Sequence, residues 1–119
     1  MTNISIIVLS ICLSSFAHIL LKLGASTFNF NGNFSLVENF MGLFFNLYIL
    51  SGILFHAGAL GVWVIALNRV DITFAYPFVA LGYVIISAVA YFWMGESLSL
   101  TRISGMILII IGTFVISRS

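Results

Sequence analysis

The chain has 119 residues, of which 62% are hydrophobic and only 6% are Asp, Glu, Lys or Arg. A soluble domain carries roughly 25% charged residues, and seven charged side chains cannot cover a surface of this size, so the expected solvent is the bilayer. A formal net charge of +1 leaves no basic field to attract nucleic acid. The expectation is an all-α, multi-pass membrane protein with one transmembrane domain over 1–119 and membrane lipid as its first partner.

A helix that crosses the hydrocarbon core needs about 20 apolar residues. The first such run covers 4–23. It lacks the basic n-region of a signal peptide and runs on to Leu23, so it reads as a permanent span. Lys22 and Gly24 stand where helices tend to stop. Cys12, the single cysteine, lies inside this run and reads as a small packing residue. Residues 25–38 are rich in Asn, Ser and Gly and read as the longest loop. Phe28, Phe30 and Phe34 recur within it, which places it on the membrane interface.

The second run, 41–67, is long for a span, so it should tilt or begin as an interfacial turn. It closes at Asn68-Arg69. The third covers 72–94 and ends at Gly95-Glu96. The fourth covers 100–116 and ends at Arg118. The short connections 68–71 and 95–99 make neighbouring spans antiparallel and adjacent, and lipid requires each span to be helical. Four spans put both termini on one side, together with Arg69 and Arg118, and leave Lys22 and Arg102 on the other. Two cations against two give no positive-inside bias. That balance reflects either a small protein with few charges or dual insertion into an antiparallel dimer.

Polar groups at depth are costly unless they face protein, water or substrate. Ser14, His18 and Lys22 are spaced i, i+4, i+8 and form a stripe rising from mid-membrane to the interface, with Ser10 one turn further down. It is either a helix-packing face or a substrate path on which Lys22 can snorkel. His56 is the deepest titratable group, either a hydrogen-bonded core histidine or a substrate or proton site. Trp63 shares its face, as does Gly52. Tyr76, Tyr83 and Ser87 fall on one face of the third span, pointing to a central chamber or to packing. Pro77 sits near that span's start, where its missing N–H costs least or produces a mild kink. Tyr91 and Trp93 fit an aromatic belt. Gly105 and Gly112, with Ile109 between them, offer a small-residue face for close packing against a second subunit. The sequence shows no nucleophile–base set, metal cluster or phosphate-cradling loop, so neither an enzyme nor a cofactor or metal is expected.

The stretch ALNRVDITFAYPFVALGYVIISAVAYFWMGESLSLTRISGMILIIIGTFVIS, residues 66–117, resembles the C-terminal half of a drug/metabolite transporter unit. The resemblance rests on Ala75-Tyr76, the Gly95-Glu96 turn with Leu98, and Gly105-Met106, Leu108 and Gly112, with the LLKLGA that closes the first span. It implies a four-helix, small multidrug resistance-like fold that works as a dimer, with itself or with a homologous four-helix chain, in the bacterial inner membrane. Two branches have this length. The cation exporters use a membrane glutamate, and Ser14 stands at the matching position. Tyr76 matches that branch, whereas Val79 replaces its tryptophan. The other branch, EamA-like, is similar to the flippase subunits for aminoarabinose-phosphoundecaprenol. Its AYP and GE-LS patterns match Ala75-Tyr76-Pro77 and Gly95-Glu96-Ser97-Leu98-Ser99. This branch implies flipping of a polyprenyl-phosphate-linked sugar or a similar amphiphile, with Lys22 meeting phosphate and His18 and Ser14 donating deeper in. The alternatives are export of small cationic solutes and a non-transporting accessory subunit of a membrane glycosyltransferase.

Overall fold

The computed structural model describes residues 2–29, 32–33 and 35–119; Phe30 and Phe34, read above as interfacial, lie outside the described residues. Among the described residues four helices are long and apolar enough to cross a membrane: Asn3–Thr27, Leu47–Arg69, Ile72–Trp93 and Leu100–Ser117. The chain is an all-helical, multi-pass membrane protein.

The first helix, α1 (Asn3–Thr27), opens on Thr2, whose hydroxyl accepts from the Ser5 N–H. It continues one turn past the expected stop at Gly24. The hydroxyls of Ser26 and Thr27 donate back to the carbonyls of Leu23 and Gly24 in this last turn, and the Gly24 carbonyl also accepts from the Phe28 N–H. Gly24 is therefore a packing glycine and not a cap: a Cβ there would lie 2.6 Å from Ile49 Cδ1.

The expected 41–67 span is not one helix. A short helix, α2 (Leu36–Phe44), precedes the spanning α3 (Leu47–Arg69), and the break falls at Phe45-Asn46. Asn46 caps α3 by accepting from the Tyr48 N–H, and its amide also reaches the Gly24 carbonyl and the Thr27 hydroxyl. That single polar residue ends one helix and starts the next. None of α2's residues is buried, and Leu36, Val37, Phe40, Met41 and Phe44 are all more than half exposed. Such a surface belongs at the lipid interface.

The third span is built in pieces. A single turn, α4 (Ile72–Ala75), passes through a 3-10 turn at Tyr76–Phe78 into α5 (Val79–Trp93). Pro77 sits inside the 3-10 turn, where its missing donor costs little. Gly95 reverses the chain with φ +72°, and α6 (Leu100–Ser117) follows, capped by Ser99.

The longest seam lies where α1 meets α3, and the core cluster, Ile6, Ile7, Ile11, Ala66, Ala75 and Phe78, joins both helices to α4 and the 3-10 turn. Gly52, Ala59 and Ala66 recur every seven residues along α3 and are all buried. This small-residue stripe lets the two backbones approach, and the Ser10 hydroxyl donates to the Ala59 carbonyl at 2.9 Å across the seam. On its other side α1 meets α5 at Gly82, where a Cβ would lie 3.2 Å from Ser15 Oγ. α6 packs on α5 and the 3-10 turn and buries only Thr113. Cys12 does not pack as expected; it is exposed on the outer face of α1.

Candidate functional site

Four-residue steps around a helix with 3.6 residues per turn drift by about 40° each, so the stripe on α1 cannot face one neighbour along its length. Its lower end, Ser10, is spent on the α3 seam. Ser14 is half-buried and donates back to the Ile11 carbonyl at 3.1 Å. His18, next, is exposed and stacks edge-on against His56 of α3, ring centroids 5.2 Å apart. Lys22, at the top, has swung towards the turn after α5, where its Nζ lies 3.9 Å from Glu96 Oε1. The stripe is a ramp that starts in one helix contact and ends at another.

Seven residues below His56 on the same face of α3, Trp63 lies edge-on to Tyr76 of the 3-10 turn at 6.5 Å. The fold thus pairs His18 with His56 and Trp63 with Tyr76, and sets Lys22 beside Glu96. Tyr83 is 45% exposed and Ser87 is buried at 7%; no ring contact ties Tyr83 to these pairs among the described residues. Among those residues neither imidazole makes a hydrogen bond, and His56 is exposed, not a satisfied core histidine. His56→Ala should therefore change thermal stability by no more than about 0.5 kcal/mol, and under the transport role proposed below it should lower cargo binding. A large drop in melting temperature with unchanged transport would make the residue structural.

The Lys22–Glu96 pair is long, and its side chains are 57% and 47% exposed. Such pairs contribute little to stability, so both charges remain available to a ligand. Glu96 was visible in the sequence only as part of a turn motif. Its role beside Lys22 needed the third dimension, since 74 residues separate them. Ser15, not singled out by the stripe, is the one buried side-chain polar atom without a hydrogen-bond partner among the described residues. Its Oγ abuts Gly82 where α1 and α5 touch.

On α6, Gly112 is exposed, Gly105 and Ile109 are half-buried, and a Cβ built at either glycine meets no atom within 4 Å. The gap these glycines leave is unfilled within the chain. Among the described residues no group of three His, Cys, Asp or Glu side chains is placed to hold a metal ion.

These features define a small multi-pass membrane protein with a line of polar and aromatic side chains along the meeting of α1, α3 and the 3-10 turn. Comparison with known proteins gives the class a more particular likeness. The chain is 36% identical over 64 residues to the probable 4-amino-4-deoxy-L-arabinose-phosphoundecaprenol flippase subunit ArnF of Shewanella sediminis, covering 52% of this chain and 44% of that one. It is 34% identical over 59 residues to the corresponding probable subunit ArnE of Pseudomonas paraeruginosa, covering 50% and 51%. A probable ArnF of an Enterobacter species is 28% identical over 67 residues, covering 55% and 53%. The chain spans about half the length of the curated relatives it matches. No family model and no solved structure matches it.

Proposed function

We propose that this protein is a transporter subunit that flips a polyprenyl-phosphate-linked sugar, or a similar amphiphile, across the bacterial inner membrane. The observation that carries the proposal is that line itself: hydroxyl and imidazole groups at depth, no carboxylate inside a described span, and a cation beside a carboxylate where the line reaches the interface. The name of the matched relatives specifies a headgroup with a phosphate and an amino group. Lys22 suits the phosphate as a point charge, Glu96 suits the amine, and the tail stays in lipid beside the line. The likeness to the flippase subunits favours this over cation export, for which Ser14 supplies no charge to hold a cation or a proton. The discriminating experiment uses reconstituted vesicles loaded with a fluorescent polyprenyl-phosphate sugar or with guanidinium. Lipid movement independent of the pH gradient supports the proposal. Cation flux that follows the gradient, with no lipid movement, refutes it.

The working unit in this proposal is a dimer, with a second copy or a homologous four-helix chain, because the Gly105/Gly112 face of α6 is unfilled within one chain. Cysteine at Ile109, in a Cys12→Ser background because Cys12 is itself exposed, should trap a covalent dimer in native membranes. A monomer at every protein-to-lipid ratio would show that α6 faces only lipid.

A further inference from the structure

The other end of the bundle also holds a cation and a carboxylate, Arg69 and Asp71, in a cleft. This cleft, of about 810 Å³, opens where the start of α1, the turn between α3 and α4 and the end of α6 converge. That volume lies within the range of small-molecule sites, roughly 300–1,000 Å³. Arg69 and Asp71 line it together with Asn3, Thr73 and the ring of Phe74.

Thr2 and Ser119, which also line the cleft, are engaged with Ser5 and the Ile116 carbonyl, but its charged groups are unspent. Asp71 occupies the N-cap position of α4 but makes no capping hydrogen bond, whereas Thr2, Ser35, Asn46 and Ser99 all cap their helices. Arg69 and Asp71 are two residues apart, yet the described residues contain one ion pair, Lys22–Glu96, and it is not theirs. The side chains of Asn3 and Thr73 make no hydrogen bond among the described residues either. Opposite charges held apart in one cleft disfavour a plain anion, which Asp71 repels, and a plain cation, which Arg69 repels. A ligand carrying both signs satisfies both.

We infer that this cleft is a second headgroup site, taking a lipid whose headgroup bears a phosphate and an ammonium group, with the phosphate on Arg69 and the ammonium on Asp71. The guanidinium fork suits a phosphate bidentately. The two ends of the bundle then present the same pair of charges, one as loading station and the other as release station. The pairing of stations rests on the flippase proposal; the binding chemistry of the cleft does not.

The test measures bound headgroups on the full chain in phosphatidylcholine nanodiscs, by native mass spectrometry. The ligands are a short-chain polyprenyl-phosphate aminosugar, its N-acetylated form and short-chain phosphatidylethanolamine. In a Lys22→Gln, Glu96→Gln background one aminosugar lipid should still bind. Arg69→Gln should then weaken it roughly tenfold or more, with Arg69→Lys retaining most of the affinity. N-acetylation should weaken binding by a similar factor, and Asp71→Asn should abolish that discrimination. Phosphatidylethanolamine binding as tightly, with the same dependence on Arg69 and Asp71, would assign the site to bulk lipid with the same chemistry. Binding to the wild type but none in the Lys22, Glu96 background would overturn the second site and leave the flippase proposal standing. Failure of the aminosugar lipid to bind the wild type at all would instead count against the flippase proposal.

Discussion

Gly52→Leu should be among the most damaging single changes in the protein, costing about 1–3 kcal/mol through overpacking and more if α1 and α3 are forced apart. Even the first atom of a side chain at Gly52 would lie 2.9 Å from Leu21 Cδ2 and Cγ and 3.1 Å from the Ala17 carbonyl oxygen. Leu21 has rotamers to try, but the carbonyl belongs to the backbone of α1 and moves only if the helix does. The same fold supplies the control. Gly58 and Gly61 lie on the same helix, and a Cβ at either meets nothing within 4 Å. Thermal unfolding in a fixed detergent should separate Gly52→Leu clearly from Gly58→Leu. Equal melting temperatures would mean that the α1–α3 seam does not hold the fold together.

On the proposed flippase function, and in an Arg69→Gln background that silences the cleft at the other end of the bundle, Lys22→Gln should weaken binding of an anionic polyprenyl-phosphate lipid roughly ten- to hundredfold, the equivalent of about 1.5–3 kcal/mol for a charge-assisted contact. The side chain is 57% exposed, so solvent screening favours the lower end of that range. Lys22→Arg should retain most of the affinity, because phosphate accepts either cation. Ser14→Glu is the complementary change. It places a carboxylate on the polar stripe of α1, two turns below Lys22, and should repel the phosphate while favouring a cation. Binding to reconstituted protein at fixed ionic strength measures all three. Unchanged lipid affinity in Lys22→Gln would remove Lys22 from the site.

Four spans were legible because hydropathy over 18 or more residues has few other causes, and the short connections fixed their order. The division of the second run was not, although its signal was present. Asn46 is polar in an otherwise apolar stretch, and Asn is among the best N-cap residues. A hydropathy window averages one such residue away, whereas the hydrogen-bonding needs of a helix start do not. The polar stripe on α1 was legible as spacing but not as destination. Ser10, Ser14, His18 and Lys22 drift around the helix, and sequence alone does not say which neighbour each turn meets. The partners that matter are distant in the chain: His56 for His18, Glu96 for Lys22, Tyr76 for Trp63. Arg69 and Asp71 were read as the end of a span and its connection. Only the convergence of three chain segments turns them into a cleft.

The slight attachment of α6 gives the molecule an unusual dependence on its surroundings. With one buried residue, Thr113, and two uncovered glycines, this helix gains little by seating against its own chain. In lipid, association of helices rests on packing and not on escape from water. A face left incomplete by one chain is completed by mass action or not at all. If the dimer proposed above forms on this face, α6 is the span whose seating answers to the concentration of a second subunit in the bilayer. Expression level would then join sequence in deciding how firmly this helix is held.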